Sequence, residues 1–231
     1  MSETVVLLHG FAGTARHWDR VAALIDRERY SPLALELTQA TPLSLDGAVQ
    51  LVADAAPERF ILCGYSMGGR VALHVARALR SRVSALVLIS TSAGIEDAAA
   101  RAARLSADEL LAAEIARSSV EDFIARWRTT PLFARDPDWV HEAIAQDTRR
   151  LAPAQLAGTL RAYSAGLLAP LWDRLDAFDI PTVVLAGERD TAYTALAERL
   201  ADALPNVRLE IVAGVGHRIA LEAPRSVLRA L

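Results

Sequence analysis

Short apolar runs recur along the chain at the spacing that strand–helix alternation requires. They are "TVVLLHG" (4–10), "PLALEL" (32–37), "RFILCGY" (59–65), "ALVLIST" (85–91), "TVVLAGE" (182–188) and "VRLEIVAG" (207–214). Each has the length of a buried strand, bounded by turn-forming residues. Several are apolar throughout, the pattern of strands covered on both faces. Amphipathic stretches near 16–26, 45–56, 67–80, 191–203 and 221–231 separate them. The alternation predicts a mostly parallel sheet of about six strands with helices on both faces.

Residues 96–165 break the pattern. They contain helical segments, "SADELLAAEIARS", "VEDFIARW" and "APAQLAGTLRAY", punctuated by Pro131, Pro137 and Pro153, and no convincing strand. Seventy residues is too long for an ordinary connection. The expected organisation is a core made of 1–95 and 166–231, with 96–165 as a helical cap over the carboxyl ends of the strands, where such sheets bind ligands.

Composition narrows the function classes. At 52% apolar and 23% charged over 231 residues, the chain is globular and long enough for a substantial core. A net charge of −3 without strong charge runs gives no basis for nucleic-acid binding. The start "MSETVVLLHG" lacks the layout of a signal peptide, and no apolar stretch is long enough to span a membrane, so the expected compartment is the cytoplasm. Cys63 is the only cysteine, which excludes a disulfide framework and a cysteine zinc site. All 25 basic residues are arginine, which excludes Schiff-base and P-loop lysines.

The chemistry concentrates at "GYSMG" (64–68), where a strand turns directly into a helix. Gly64 and Gly68 remove side chains where the backbone crowds, leaving Ser66 at a strained apex above a helix N-terminus. A serine hydroxyl needs a base, and the base needs an acid to orient it. In this architecture the order is Ser, acid, His. Asp190 and His217 both follow strands and fall on the same sheet edge as Ser66. Glu188 lies too near its strand, and Glu96 is a rival acid in the preceding loop. His9 reads as a structural anchor of the first loop, and His74 as a packed or half-exposed helix residue pointing away. The oxyanion donors expected are the N–H groups of Met67 and Phe11.

The set "LLHGFAG…HW", "GYSMGGRVAL", "LAGERD" and "GHRIALEAP" resembles the α/β-hydrolase superfamily over essentially the whole chain, starting at what would be the third strand of the usual fold. Within it, GYS-x-GGR-x-A, R-A-x-R, W-x-x-x-P-x-F and GERD resemble the 2-succinyl-6-hydroxy-2,4-cyclohexadiene-1-carboxylate synthases of menaquinone biosynthesis. These motifs fall here on Tyr65, Ser66 and Arg70; Arg101 and Arg104; Trp127, Pro131 and Phe133; and residues 187–190. The resemblance implies elimination of pyruvate from a carboxylate-bearing small molecule, with no cofactor or metal. Tyr65, Arg70, Arg104 and Trp127 would contact the substrate, and Arg149 or Arg150 would supply a further arginine. Arginine suits planar, bidentate carboxylate recognition.

The chain departs from that pattern in three places. Thr191-Ala192-Tyr193 follows the acid where the family usually has Lys-Phe or similar, "ELTQATPLS" replaces a G-H-G loop, and Ala220 replaces a second histidine. Two other readings stay open: a serine hydrolase of a small ester, thioester or carbon–carbon bond, and a catalytically silent binding protein on the same fold. Oligomeric state is not legible in the sequence.

Overall fold

The structure, a computed structural model, describes residues 2–231. Six strands, β1 (Glu3–Leu8), β2 (Tyr30–Leu35), β3 (Phe60–Tyr65), β4 (Val83–Ile89), β5 (Thr182–Gly187) and β6 (Val207–Val212), form one sheet in the order β2-β1-β3-β4-β5-β6. Every pairing is parallel. The α/β class read from the apolar runs is therefore observed, with each strand within about two residues of its expected place.

Successive side chains of a strand point to opposite faces, and here both faces are dry. Val6, Leu8, Leu62, Leu86, Leu88 and Val184 pack on one face against α2 (Leu45–Ala55), α3 (Met67–Ala78) and α8 (Thr191–Ala203). Val5, Leu7, Ile61, Cys63, Val87 and Leu185 pack on the other, beneath Trp18, α1 (Asp19–Leu24) and the carboxyl-terminal helices α9 (Ile219–Glu222) and α10 (Pro224–Ala230). The last helical stretch is split at Ala223, because Pro224 cannot continue a helix but starts one well.

Between β4 and β5 lie α4 (Ala98–Ile115), α5 (Val120–Trp127), α6 (Asp138–Thr148) and α7 (Pro153–Ala162). Asp97 caps α4 by accepting from Ala100 N at 2.7 Å, and Ser119 opens α5 with a capping box to Asp122. These helices pack a small apolar cluster, including Ala112, Ile115, Phe123, Leu156 and Leu160, onto Ala12 and Phe11 of the loop after β1. Helix α6 is not anticipated by the apolar pattern, because only Val140, Ala145, Asp147 and Thr148 on it are buried.

The chain leaves β1 for β2 on one side and returns to β3 on the other. That reversal opens a crevice outside the carboxyl ends of β1 and β3, the place where open parallel sheets bind ligands. The loop after β1 and the turn after β3 both face it. No helix among the described residues is long and apolar enough to cross a membrane.

Candidate active site

The turn after β3 is held open by contacts on both sides. Ser66 has φ 53° and ψ −114°, in the left-handed half of backbone space that a non-glycine residue rarely occupies. Its N–H donates to Ile89 O at 2.8 Å, and its own carbonyl accepts from Thr91 Oγ1 at 2.8 Å. A Cβ on Gly68 would stand 2.3 Å from Leu8 O and 2.4 Å from His9 O, so α3 reaches the end of β1 only as bare backbone. Met67 is the first residue of α3, and its N–H is among the donors that a helix leaves unpaired.

The structure brings Ser66, His217 and Asp190 together. His217 Nε2 lies 3.0 Å from Ser66 Oγ, and Nδ1 lies 2.5 Å from Asp190 Oδ2. A carboxylate only accepts, so Nδ1 carries the proton and Nε2 faces the serine as an acceptor. Asp190 Oδ1 also accepts from Tyr193 N at 3.4 Å, so one carboxylate both orients the imidazole and caps α8. Glu188 turns away to accept from Gly214 N at 2.7 Å, and Glu96 pairs with Arg199. Neither competes for His217.

Burial pulls the His217 imidazole below its ordinary value; the Asp190 bond and charge oppose this, and Arg218 and Arg70 add to it. The neutral imidazole is the form that accepts a proton. Activity is therefore expected to fall toward acid with a limb in kcat/KM below the usual histidine value near 6.5, readable from a pH–rate profile.

His17, which stacks on Tyr65 with ring centroids 4.7 Å apart, is pushed down to about 3, mainly by burial. In the unfolded chain it takes a proton near pH 6.5, whereas folded it stays neutral until about 3. Its contribution is present above pH 6.5 and is lost as pH falls toward 3, at about 1.4 kcal/mol per pH unit. Urea midpoints at pH 7.5 and 5 are expected to differ accordingly, and His17→Phe to reduce the difference, with the part due to the other buried histidine, His217, remaining.

A cavity of about 180 Å³ opens beside Ser66. Six of the residues expected there from sequence line it: Phe11, Tyr65, Met67, Arg70, Arg104 and Trp127. Arg70 is nearly buried, donates to Tyr163 O at 3.3 Å, and has an Nε with no partner. Arg104 Nε donates to Asp108 Oδ1 at 2.8 Å, while Asp108 Oδ2 accepts from Ser164 Oγ at 2.7 Å, a chain that fixes the guanidinium. Phe11 and Trp127 meet edge to face at 5.3 Å.

Tyr65 contributes its ring to the wall, but its hydroxyl faces Arg218. Arg149 and Arg150 are not among the lining residues. Arg149 is exposed and bridges Glu121 and Glu142, so the further arginine expected at 149 or 150 is not supplied. His9 is buried and bonds Gly10 O at 2.8 Å and Glu36 Oε1 at 2.7 Å, the structural part read for it. A larger open groove, about 920 Å³ beside Pro42 and Leu167, has Arg161 as its only ionisable side chain.

The sequence reading missed several groups at the site. Tyr193 packs on His217 at 4.5 Å and lines the cavity. Its place three residues after the acid, on the first turn of a helix, was the available signal. Arg218 and Asp136, a buried ion pair at 3.1 Å, stand behind His217, and Phe133 lies under Arg218 at 4.1 Å. Burial raises the Asp136 carboxyl to about 6. Nothing in the sequence near 136 marks it, since its partner lies in a distant loop.

A family model described as the alpha/beta hydrolase family matches residues 5–230. The chain belongs to that family and is an enzyme. The more particular likeness read from its motifs is also borne out. The 2-succinyl-6-hydroxy-2,4-cyclohexadiene-1-carboxylate synthase of Klebsiella pneumoniae subsp. pneumoniae is 32% identical over 98% of this chain and 91% of its own length. The protein of the same name from Citrobacter koseri is 30% identical over 100% and 92%. Among solved structures, MenH from S. aureus is 28% identical with a TM-score of 0.89, covering 98% of this chain and 91% of its own. A thermophilic esterase from Thermogutta terrifontis, 21% identical with a TM-score of 0.82 over 100% and 88%, shares the fold.

Proposed function

We propose that the chain is a 2-succinyl-6-hydroxy-2,4-cyclohexadiene-1-carboxylate synthase that eliminates pyruvate from a polycarboxylate cyclohexene. The observation that carries this reading is the hydrogen-bonded series Ser66–His217–Asp190 opening onto a cavity that also holds Arg70 and Arg104. The names of its relatives point the same way.

In this reading Ser66 Oγ takes the proton from the carbon beside the substrate's carbonyl while passing its own proton to His217 Nε2. Asp190 stabilises the imidazolium that forms. The C–H electron pair becomes an enolate whose oxygen is held by the N–H groups of Phe11 and Met67. Collapse of the enolate makes the ring double bond and breaks the C–O bond to the leaving group, which takes up the proton now held on His217, restoring the neutral imidazole, and departs as pyruvate. The reaction is redox-neutral and consumes no cofactor. Residues 96–165 act as the cap that brings Arg104 and Trp127 over Ser66.

The test is pyruvate release by the purified protein from the succinyl-enolpyruvyl-hydroxycyclohexene carboxylate substrate. Release at an enzymic rate supports the reading, and none above background overturns it. Arg70→Ala is expected to raise KM about 10- to 100-fold with a smaller change in kcat, since a charge-assisted bond contributes about 1.5–3 kcal/mol. A serine hydrolase is the second reading, favoured by the apolar lining of Leu111, Leu132, Phe133 and Leu160. It predicts turnover of p-nitrophenyl esters in place of pyruvate release.

A further inference from the structure

The loop after β1 is strapped to two elements far from it in sequence. On one side lies Asp147, near the end of α6. Its Oδ2 accepts from Thr14 N at 2.9 Å and its Oδ1 from Thr14 Oγ1 at 2.5 Å. The next residue, Thr148, places Oγ1 2.8 Å from Ala12 O and 2.8 Å from Ile144 O, sharing one hydroxyl proton between them. On the other side Glu36, just past β2, accepts from Ala15 N at 3.0 Å.

We infer that Asp147 is a positioning residue: by holding Thr14 it fixes the Gly10–Ala15 turn and so aims the Phe11 N–H at the oxyanion. The inference rests on the oxyanion role proposed above for Phe11.

Three features of the structure support it beyond simple tethering. Asp147 is nearly buried, yet among the described residues it has no cation within ion-pair distance; its only partners are the two donors of Thr14. A buried carboxylate with neutral donors alone is expensive, and its whole compensation is spent on this turn. Second, Ala12 sits at φ 63°, a conformation that a non-glycine residue keeps only under outside constraint. The constraint falls on both sides of it, at its own carbonyl through Thr148 and two residues on through Asp147. Released, Ala12 relaxes toward negative φ, and the change passes back through the Phe11 backbone to the Gly10–Phe11 peptide, which carries the Phe11 N–H. Third, the Phe11 side chain is packed separately, against Phe123 at 6.0 Å and Trp127 at 5.3 Å. The ring can therefore stay in the cavity wall while the backbone N–H swings off target. Substrate contact and oxyanion alignment are thus separable here.

That separation gives the test. Phosphonylation of Ser66 by a p-nitrophenyl alkylphosphonate forms the Oγ–P bond, breaks the bond to p-nitrophenolate and passes the serine proton to His217. The phosphoryl oxygen occupies the oxyanion position as it does so. Asp147→Ala is expected to slow phosphonylation about 10- to 100-fold and to lower kcat for pyruvate release by a similar factor, with KM within threefold. Asp147→Asn, which keeps one acceptor oxygen, is expected to recover part of the loss. Thr14→Val, which removes one donor to Asp147 together with the acceptor for Arg16 N, is expected to slow phosphonylation about 3- to 10-fold, and Thr14→Ser, which keeps both, to leave it within twofold.

Phosphonylation within twofold of the unmutated rate in Asp147→Ala, with only a lower thermal midpoint, overturns the inference and leaves Asp147 a structural tether. If Asp147→Ala does not fold, Thr14→Val decides: an unchanged rate overturns the inference, and a slowed one upholds it. Failure of the unmutated protein to release pyruvate removes the elimination reading but leaves the phosphonylation comparison intact.

Discussion

Ser66→Ala is expected to lower turnover about 10⁴-fold or more while leaving the fold in place. Among the described residues, Ser66 Oγ is the one hydrogen-bond partner of His217 Nε2, at 3.0 Å. Without its oxygen the imidazole loses its link to the substrate proton, and members of such a unit cannot be removed singly at small cost. The residual rate comes from the oxyanion donors and from binding. Stability should change by less than about 0.5 kcal/mol, because alanine keeps the Cβ and the serine hydroxyl is on a half-buried residue rather than in the core. The expected outcome is a loss of pyruvate release with an unchanged thermal midpoint. Full turnover in this variant would sink the reading of the turn after β3 as a nucleophile elbow.

The second large effect is on folding. Gly68→Ala would set a Cβ 2.3 Å from Leu8 O and 2.4 Å from His9 O. Both are backbone atoms, and neither can swing aside as the end of a long side chain could. Helix α3 would have to back away from β1, opening the two central strands' carboxyl edge. Overpacking of this kind costs about 3 kcal/mol and sometimes more. For a domain of this size that is a fall of roughly 6–12 °C in Tm, or insoluble protein. Activity should fall with it, since His9 begins the loop that carries Phe11. A thermal melt of this variant beside Ser66→Ala separates the two roles of the turn: one glycine for fit, one serine for chemistry.

The parts of the molecule legible in the sequence are those governed by local rules. Short apolar runs such as "FILCGY", bounded by turn residues and alternating with amphipathic stretches, fit strands covered on both faces, and all six expected strands are found. The G-x-S-x-G turn, its downstream acid and its histidine follow from one order along the chain, and their atoms meet. What was not legible depends on pairs with no local mark. Asp147 lies on a helix with a weak apolar pattern and meets Thr14 across 133 residues. The stretch after β2 offers no motif, yet Glu36 holds both His9 and Ala15. The bonds to His9, Ala15 and Thr38 keep its carboxyl below the usual range against the opposing effect of burial. Arg149 shows the converse: one of the two positions that the resemblance offers for a further arginine, it is drawn off to Glu121 by an ordinary surface pair.

The order of the strands also sets the timing of synthesis. Ser66 belongs to the part of the sheet built from β1 to β4, while Asp190 and His217 arrive with β5 and β6. The serine and its base are 151 residues apart, and the β4–β5 pairing that unites them closes the longest gap between neighbouring strands. A growing chain therefore emerges from the ribosome with its serine in hand and no base to activate it. On the proposed roles of Ser66 and His217, it stays inert toward passing electrophiles until the final strands have been made and docked.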